Sequence, residues 1–434
     1  MVSNKVYFIG LITLTFFFST SVANNNGLGR VPLMGWNTWC TAGSCARDVC
    51  NDEEILEVAH ALLDSGLHSI GYRNIGFDDC WCNDARNATT GKLYADPERF
   101  PRGMRAVIDD LHSLGFTASL YTSLGPATCN PSGRPNPIPG SYGNYALDAA
   151  TLLIDFDADG IKGDWCMENH TSNKQQQSSE FYVAMNKTGK PGWFNFHCDS
   201  NFSVWCTQIG NSARISHDHF DAWEWTLSSI EALAIAAPHA GVVPLQDGGG
   251  FWWPDADLMT IGGEGCPVPV LPPITNYTQH CPGESDIEYR TEFTFWTLGS
   301  SLLLFATDPR NLTDIMKEVL FNTELIAVNQ DIGAVPGVSR IKYQTCGANL
   351  PNQCELWHKT NSTGSHFVIL FNSNDPNPNL PNATFLFNFN DIGLPSNTNI
   401  HVRDLWLHQD MGIFQNSYTA SSIPPHGVVA LQLT

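Results

Sequence analysis

The 434-residue chain carries 43 acidic against 22 basic residues, a formal net charge of −21, with only 15% of its residues charged. So few cations exclude a nucleic-acid phosphate backbone as the natural partner, and a 42% hydrophobic content excludes a largely disordered chain. Neutral or cationic ligands fit such a composition better, and the length accommodates one domain of barrel size plus a smaller one.

Lys5 precedes an apolar run from Val6 to Phe18, and Ser21-Val22-Ala23 places small residues before Asn24. Residues 1–23 therefore read as a secretory signal. The run is shorter than the ~20 residues of a membrane span, and no later segment qualifies, so the expectation is a soluble product of the secretory pathway, extracellular or lysosomal/vacuolar. Thirteen cysteines suit an oxidising compartment, and the odd total leaves at least one unpaired or intermolecular. Cys80 and Cys82 lack a second Cys/His pair at zinc-finger spacing, so no metal is expected, and no cofactor. Sequons stand at Asn87, Asn169, Asn186, Asn201, Asn276, Asn311, Asn361 and Asn382.

After an apolar and aromatic stretch from Val31 to Trp39, Asn51-Asp52 opens a helix with Ile55, Leu56, Val58, Ala59, Leu62 and Leu63 on one face that stops at Gly66. A strand from Tyr72 to Phe77 ends in Asp78-Asp79-Cys80-Trp81. The next helix, Met104 to Leu114, stops at Gly115 and hands over to a strand from Thr117 to Tyr121. A third helix, Tyr145 to Asp157, leads after Asp159-Gly160 into a strand from Ile161 to Trp165. Lys162 and Asp164 lie two residues apart on it and share a face; a lysine beside a carboxylate favours the ionised form that a nucleophile needs. The alternation continues with a helix around Ser179 to Met185, strands from Gly192 to Phe196 and Ala213 to His217, a helix from Ala222 to Ala237, a loop around Phe251 to Met259, and a helix from Tyr289 to Phe305.

Strands alternating with helices over about 300 residues predict a parallel sheet closed as a (β/α)₈ TIM barrel. A doubly wound open sheet is the rival, but no GxGxxG turn follows the first strand, and polar residues collect at many strand ends instead of one switch point. Beyond Asp331 the pattern changes to short alternating runs: Ile341 to Gln344, Cys354 to His358, His366 to Phe371, Thr384 to Phe389, Ile400 to Leu405 and Val428 to Leu433. These predict a C-terminal antiparallel β-sandwich domain, with the Asn374 to Pro381 tract as an exposed loop. The expected boundaries are a barrel over 27–335 and a sandwich over 336–434.

A barrel builds its site from the carboxyl ends of its strands, which here carry Trp39, Asp78, Asp79, Lys162, Asp164, Arg214, Asp218, Asp255 and Asp257. Acid pairs, two cations and an indole around one cup suit a carbohydrate, whose hydroxyls need bidentate acceptors and whose ring face packs on an aromatic. Two of the acids could divide glycoside cleavage between them.

Six segments, in order, carry a resemblance: Met34-Gly-Trp-Asn-Thr-Trp39, Ile75-Gly-Phe-Asp-Asp-Cys-Trp81, Lys162-Gly-Asp-Trp-Cys166, Arg214-Ile-Ser-His-Asp218, Asp255-Ala-Asp257 and Ala327-Val-Asn-Gln-Asp331. Together with Val402-Arg-Asp-Leu-Trp406 and Pro424-Pro-His-Gly-Val428, the chain resembles the α-galactosidase / α-N-acetylgalactosaminidase family, the melibiase type of retaining glycoside hydrolase, from about Gly27 to its end. The resemblance implies Asp164 as nucleophile and Asp218 as acid/base. It implies sugar-hydroxyl contacts from Asp78, Asp79, Lys162, Arg214 and Asp257, with Asp255 as an alternative to the last, and places Trp39 against the ring. It also implies a Cys129–Cys166 disulfide, a partner for Cys80 in Cys45 or a neighbour, α-galactoside oligosaccharides or glycoconjugates as substrates, and a monomer or homodimer.

Two departures stand out. Gly163 replaces the aromatic residue usual before the nucleophile, and Phe194-Asn-Phe-His-Cys-Asp199 replaces the family motif that reads the sugar's C2 substituent. They keep open the related glycones N-acetylgalactosamine and β-L-arabinopyranose, and a catalytically silent sugar-binding protein as a second function class. Simpler roles apply to other groups: His217, His219 and Asp221 could suggest a metal only if the strand continued through them, Trp252-Trp253 suits the core, and Tyr121 suits barrel packing.

Overall fold

The computed structural model describes residues 26–39, 49–129, 137–166, 173–198, 202–243, 250–263, 283–331, 338–343, 354–379 and 381–434. The signal segment and Cys45 lie outside them. Eight parallel strands form the barrel: β1 (Met34–Asn37), β2 (Asn74–Phe77), β3 (Thr117–Ser123), β4 (Gly160–Asp164), β5 (Trp193–His197), β6 (Ser212–Arg214), β8 (Gly250–Asp255) and β9 (Leu303–Phe305). A short strand β7 (Gly241–Val243) pairs antiparallel with β8. The ring closes where β9 pairs with β1 and Phe305 bridges Met259 just past β8.

The helices follow from caps and apolar faces. In α1 (Asp52–Ser65) the Asn51 side chain accepts the Glu54 N–H at the start, and Gly66 adopts the left-handed conformation at φ 89° that closes the last turn. α2 (Met104–Ser113) buries Met104, Val107, Ile108 and Leu111. The predicted third helix runs as α3 (Tyr145–Ala150) and widens to a π turn over Thr151–Asp155. α4 (Lys174–Lys187) and α5 (Trp223–Ala236) complete the helices through the sixth strand.

Three expectations need correction here. Residues 251–255 belong to a strand, not a loop: Pro254 hides the signal, yet its missing N–H faces away from β6, to which Trp253, through Asn211, and Asp255, through Ile215, make the hydrogen bonds. The helix beginning near Tyr289, α6 (Asp286–Leu298), is capped by Ser285 and stops before Gly299; Ser300 turns at φ 52°, so Leu303 to Phe305 become β9. The strand predicted to His217 ends at Arg214, and the residues beyond it form a loop.

After α7 (Asp314–Leu320) and α8 (Thr323–Asn329), the sandwich begins. Its larger sheet orders β10 (Ser339–Tyr343), β11 (Cys354–Thr360), β12 (His366–Asn372), β17 (Val428–Leu433), β14 (Ile400–Asp404) and β15 (Gln409–Phe414), all antiparallel. β13 (Ala383–Asn388) pairs with β16 (Ser417–Ile423) across it, enclosing Leu356, Leu370, Phe385, Phe387 and Leu431. The other face of the larger sheet, with Trp357, Ile369 and Phe371, merges into the barrel's core against Phe295. Arg340 fastens the joint: it pairs with Glu231 of α5 and Glu355 of β11 and lies over the Trp357 ring. β15 and β16 were not expected from the sequence, because their polar and glycine-bearing stretches lack an apolar run.

Candidate active site

Alternation along the barrel strands sends one set of side chains inward. At the carboxyl ends this gathers Asp78 after β2, Tyr121 on β3, Lys162 and Asp164 on β4, His197 on β5, Arg214 on β6 and Asp255 on β8. Beneath them an internal cavity of about 30 Å³, lined by Asn37, Asn74, Ser119, Lys162, Asn195 and Asp255, is too small for a hexose. Leu33, Trp193, Trp253 and Leu302 plug the barrel's lower end. Any sugar site therefore opens upward, to the rim.

Asp164 is the focus of that rim. Its side chain is 15% exposed. Oδ1 accepts the Trp165 backbone N–H at 2.7 Å and stands 3.3 Å from His197 Nδ1, and Oδ2 accepts the Tyr121 hydroxyl at 2.9 Å. Burial opposes ionisation, but the hydrogen bond and charge of His197, with Arg214 and Lys162 further away, outweigh it and hold this carboxyl well below the usual carboxylate range. Burial and the surrounding carboxylates push the Tyr121 phenol well up, so it remains a donor.

Lys162 pairs directly with Asp78, at 2.8 Å, and not with Asp164. The expected Lys162–Asp164 contact is thus corrected: the shared face is real, but the long side chain crosses to the acid two strands away. Asp78 is further tied by the Asp79 N–H at its Oδ1, and its own N–H donates to Thr38 Oγ1. Lys162→Met would leave the 3%-exposed Asp78 without its cation, and it is expected to cost about 3 kcal/mol of stability in denaturant unfolding. An unchanged unfolding midpoint would contradict that pairing.

Arg214 bridges the far side. Its Nη2 donates to Asp218 Oδ1 at 2.8 Å and stands 3.5 Å from Asp257 Oδ2. Asp218 is 52% exposed, on the loop after β6, in contrast to the enclosed Asp164. Asp257 occupies a positive-φ position at 74° and accepts the His219 N–H. Of the adjacent acids, Asp255 is raised by burial and by Asp257, whereas Arg214, Lys162 and His219 lower Asp257 despite its burial. Asn195 Nδ2 donates to Asp255 at 2.7 Å. Asp79 is buried beside Asp78, and Trp39 is half-buried just past β1.

The Cys129–Cys166 disulfide is present beside Asp164. Cys80, however, is joined to Cys50, at a Cα separation of 6.3 Å, so Cys45 is not its partner. Cys50 lies immediately before α1, at hand for the loop after β2. Cys198 pairs with Cys206, and Cys82 is buried. His219 does not converge with His217 and Asp221 on a strand face; its ring nitrogens contact Leu258 O and Thr226 Oγ1.

The sequence marks His197 only as part of the Phe194 to Asp199 departure, and Tyr121 only as packing. Both were accessible to the period of two: Tyr121 aligns with Lys162, and His197 follows two residues after Asn195, which also aligns with Lys162. The two departures prove to be coupled, since a Cβ on Gly163 would stand 3.1 Å from both Leu124 and Phe194. The Phe194 ring fills the space a larger residue before Asp164 would need.

Residues 31–270 match the family model described as Alpha galactosidase A, and residues 351–433 match that of the Alpha galactosidase C-terminal beta sandwich domain. Over 424 residues the chain is 32% identical to the protein named Probable alpha-galactosidase of Dictyostelium discoideum, covering 97% of each. Alpha-galactosidase mel1 of Schizosaccharomyces pombe is 34% identical over 346 residues, 75% of this chain and 73% of that protein. The crystal structure of alpha-galactosidase I from Mortierella vinacea aligns with a TM-score of 0.77 at 28% identity, covering 94% of this chain and 98% of that one.

Proposed function

Because the chain belongs to the α-galactosidase family of glycoside hydrolases, we propose that it removes terminal α-D-galactosyl residues from oligosaccharides or glycoconjugates by double displacement with retention. An oxygen of Asp164 attacks the anomeric carbon while the bond to the leaving oxygen breaks, and that oxygen takes the proton of Asp218. Asp218, now a carboxylate, removes a proton from water; the water oxygen displaces Asp164, which departs as a carboxylate. Two inversions return the α configuration.

The observation that carries this reading is the contrast between the two acids. Asp164 is enclosed, takes donors on both oxygens and is held ionised, while Asp218 stands on an open loop, where a leaving group and then water have access. Asp78, Asp79, Lys162, Arg214 and Asp257 then hold the sugar hydroxyls, with Trp39 against the ring. Passage through the secretory pathway is supported by three disulfides among the described residues and by the charged, apolar and small-residue order of residues 1–23. No helix among the described residues is long and apolar enough to cross a membrane.

Hydrolysis of chromogenic α-galactoside, α-N-acetylgalactosaminide and β-L-arabinopyranoside by the purified protein at mildly acidic pH tests the reading. The α-galactoside should be cleaved fastest, and NMR of early product should show α-galactose before mutarotation. β-Galactose as first product would overturn retention, and sugar binding without hydrolysis would turn the reading to a binding protein.

A further inference from the structure

Asp164 has one side-chain neighbour that its strand partners do not explain. His197 is the last residue of β5, on the inward alternation with Asn195, and its Nδ1 faces Asp164 Oδ1 at 3.3 Å. The same oxygen takes the Trp165 N–H, whereas Oδ2 takes the Tyr121 hydroxyl. The two oxygens therefore differ: Oδ1 is tied between two nitrogens, and Oδ2 has one hydroxyl that can rotate away.

We propose that His197 is a positioning residue for the nucleophile, fixing Oδ1 as the oxygen that becomes the ester carbonyl, directing Oδ2 to the anomeric carbon, and supporting the negative charge that returns to Asp164 when the ester is hydrolysed. This rests on the reading of Asp164 as nucleophile. The first step consumes the carboxylate's charge as the Oδ2–carbon bond forms. The second restores it, as water oxygen bonds to that carbon and the bonding pair returns to Oδ2. A cationic donor on the carboxylate therefore stabilises the starting state of the first step and the departing group of the second. The charged groups around the imidazole are Asp164 and Lys162 on β4 and Arg214, in register on β6. Tyr121 contributes no charge.

His197→Asn keeps an amide N–H near the place of Nδ1 and removes the charge; His197→Gln is the second variant should the first fail to fold. With an activated aryl α-galactoside, kcat and KM should fall together by roughly tenfold or more, with a burst of aryl alcohol as the glycosyl-enzyme accumulates. The acid limb of kcat/KM should rise by about one pH unit or more. In the unaltered chain kcat/KM should stay level down to about pH 4, the ordinary carboxylate range. A limb already at that pH, or variants with an unmoved limb and no burst, would overturn the role of His197. Turnover by Asp164→Asn would instead remove the nucleophile reading itself, so the two failures are distinguishable.

Discussion

Asp164→Asn is expected to lose at least about 10⁴-fold in turnover of any α-galactoside while the barrel remains folded. The substitution preserves shape. An amide oxygen at Oδ1 still accepts the Trp165 N–H and the His197 donor, and the amide nitrogen can donate to the Tyr121 oxygen, where Tyr121 now donates to Oδ2. What disappears is the charge and the lone pair that attack the anomeric carbon. Thermal unfolding should therefore remain cooperative while hydrolysis stops. In Asp164→Gly, which empties the carboxylate's space, added azide should restore cleavage of an activated substrate and yield the β-galactosyl azide, because the small anion enters from the face that Asp164 occupies. Residual activity within a few-fold of the unaltered protein, with no azide product, would remove Asp164 from the mechanism.

Asp218→Ala is expected to cost about 10²- to 10⁴-fold on natural oligosaccharides, the usual contribution of a positioned acid. A substrate whose leaving group departs as a stable anion needs no proton, so an activated aryl galactoside should lose much less in its first step. Ester hydrolysis then becomes limiting, and azide should accelerate it with formation of the α-galactosyl azide. The substitution also frees Arg214 Nη2, whose remaining carboxylate neighbour is Asp257 at 3.5 Å. Equal losses on both kinds of substrate would mean that Asp218 holds Arg214 and does not deliver a proton.

Legibility of the fold tracked the strength of local signals. Strands bounded by glycine or by helix caps, such as those ending at Phe77 and beginning at Gly160, were evident because apolar alternation and punctuation coincide there. The strand at Gly250–Asp255 was hidden by Pro254, whose cost vanishes only once one knows that its nitrogen faces away from β6. The extent of α6 was overestimated because Leu298 to Phe305 remains apolar through the turn; the reversal at Ser300 depends on tertiary packing, not on a glycine at that position. In the same way, strands β15 and β16 present little apolar alternation of their own and exist because β14 and β13 provide partners.

At the site, which strand ends meet was legible, but which charge touches which was not. Lys162 and Asp164 share a face by periodicity, yet a lysine side chain reaches farther than one strand spacing, and Asp78 captures it. His197 carries no signal as an isolated residue; its meaning comes from lying on the strand next to Asp164 with its ring turned inward. Likewise, Gly163 taken alone suggests a lost aromatic contact, whereas the packed structure shows the Phe194 ring occupying that volume.

Retaining cleavage passes through a covalent galactosyl ester on Asp164. Incubation with a fluorinated α-galactosyl fluoride, which forms the ester quickly and loses it slowly, followed by proteolysis and mass spectrometry, tests it most directly. The predicted result is one galactosyl adduct per chain on the peptide bearing Asp164, absent from Asp164→Asn and released with recovery of activity when excess reagent is removed. An adduct on another carboxylate, or inactivation without any adduct, would contradict it.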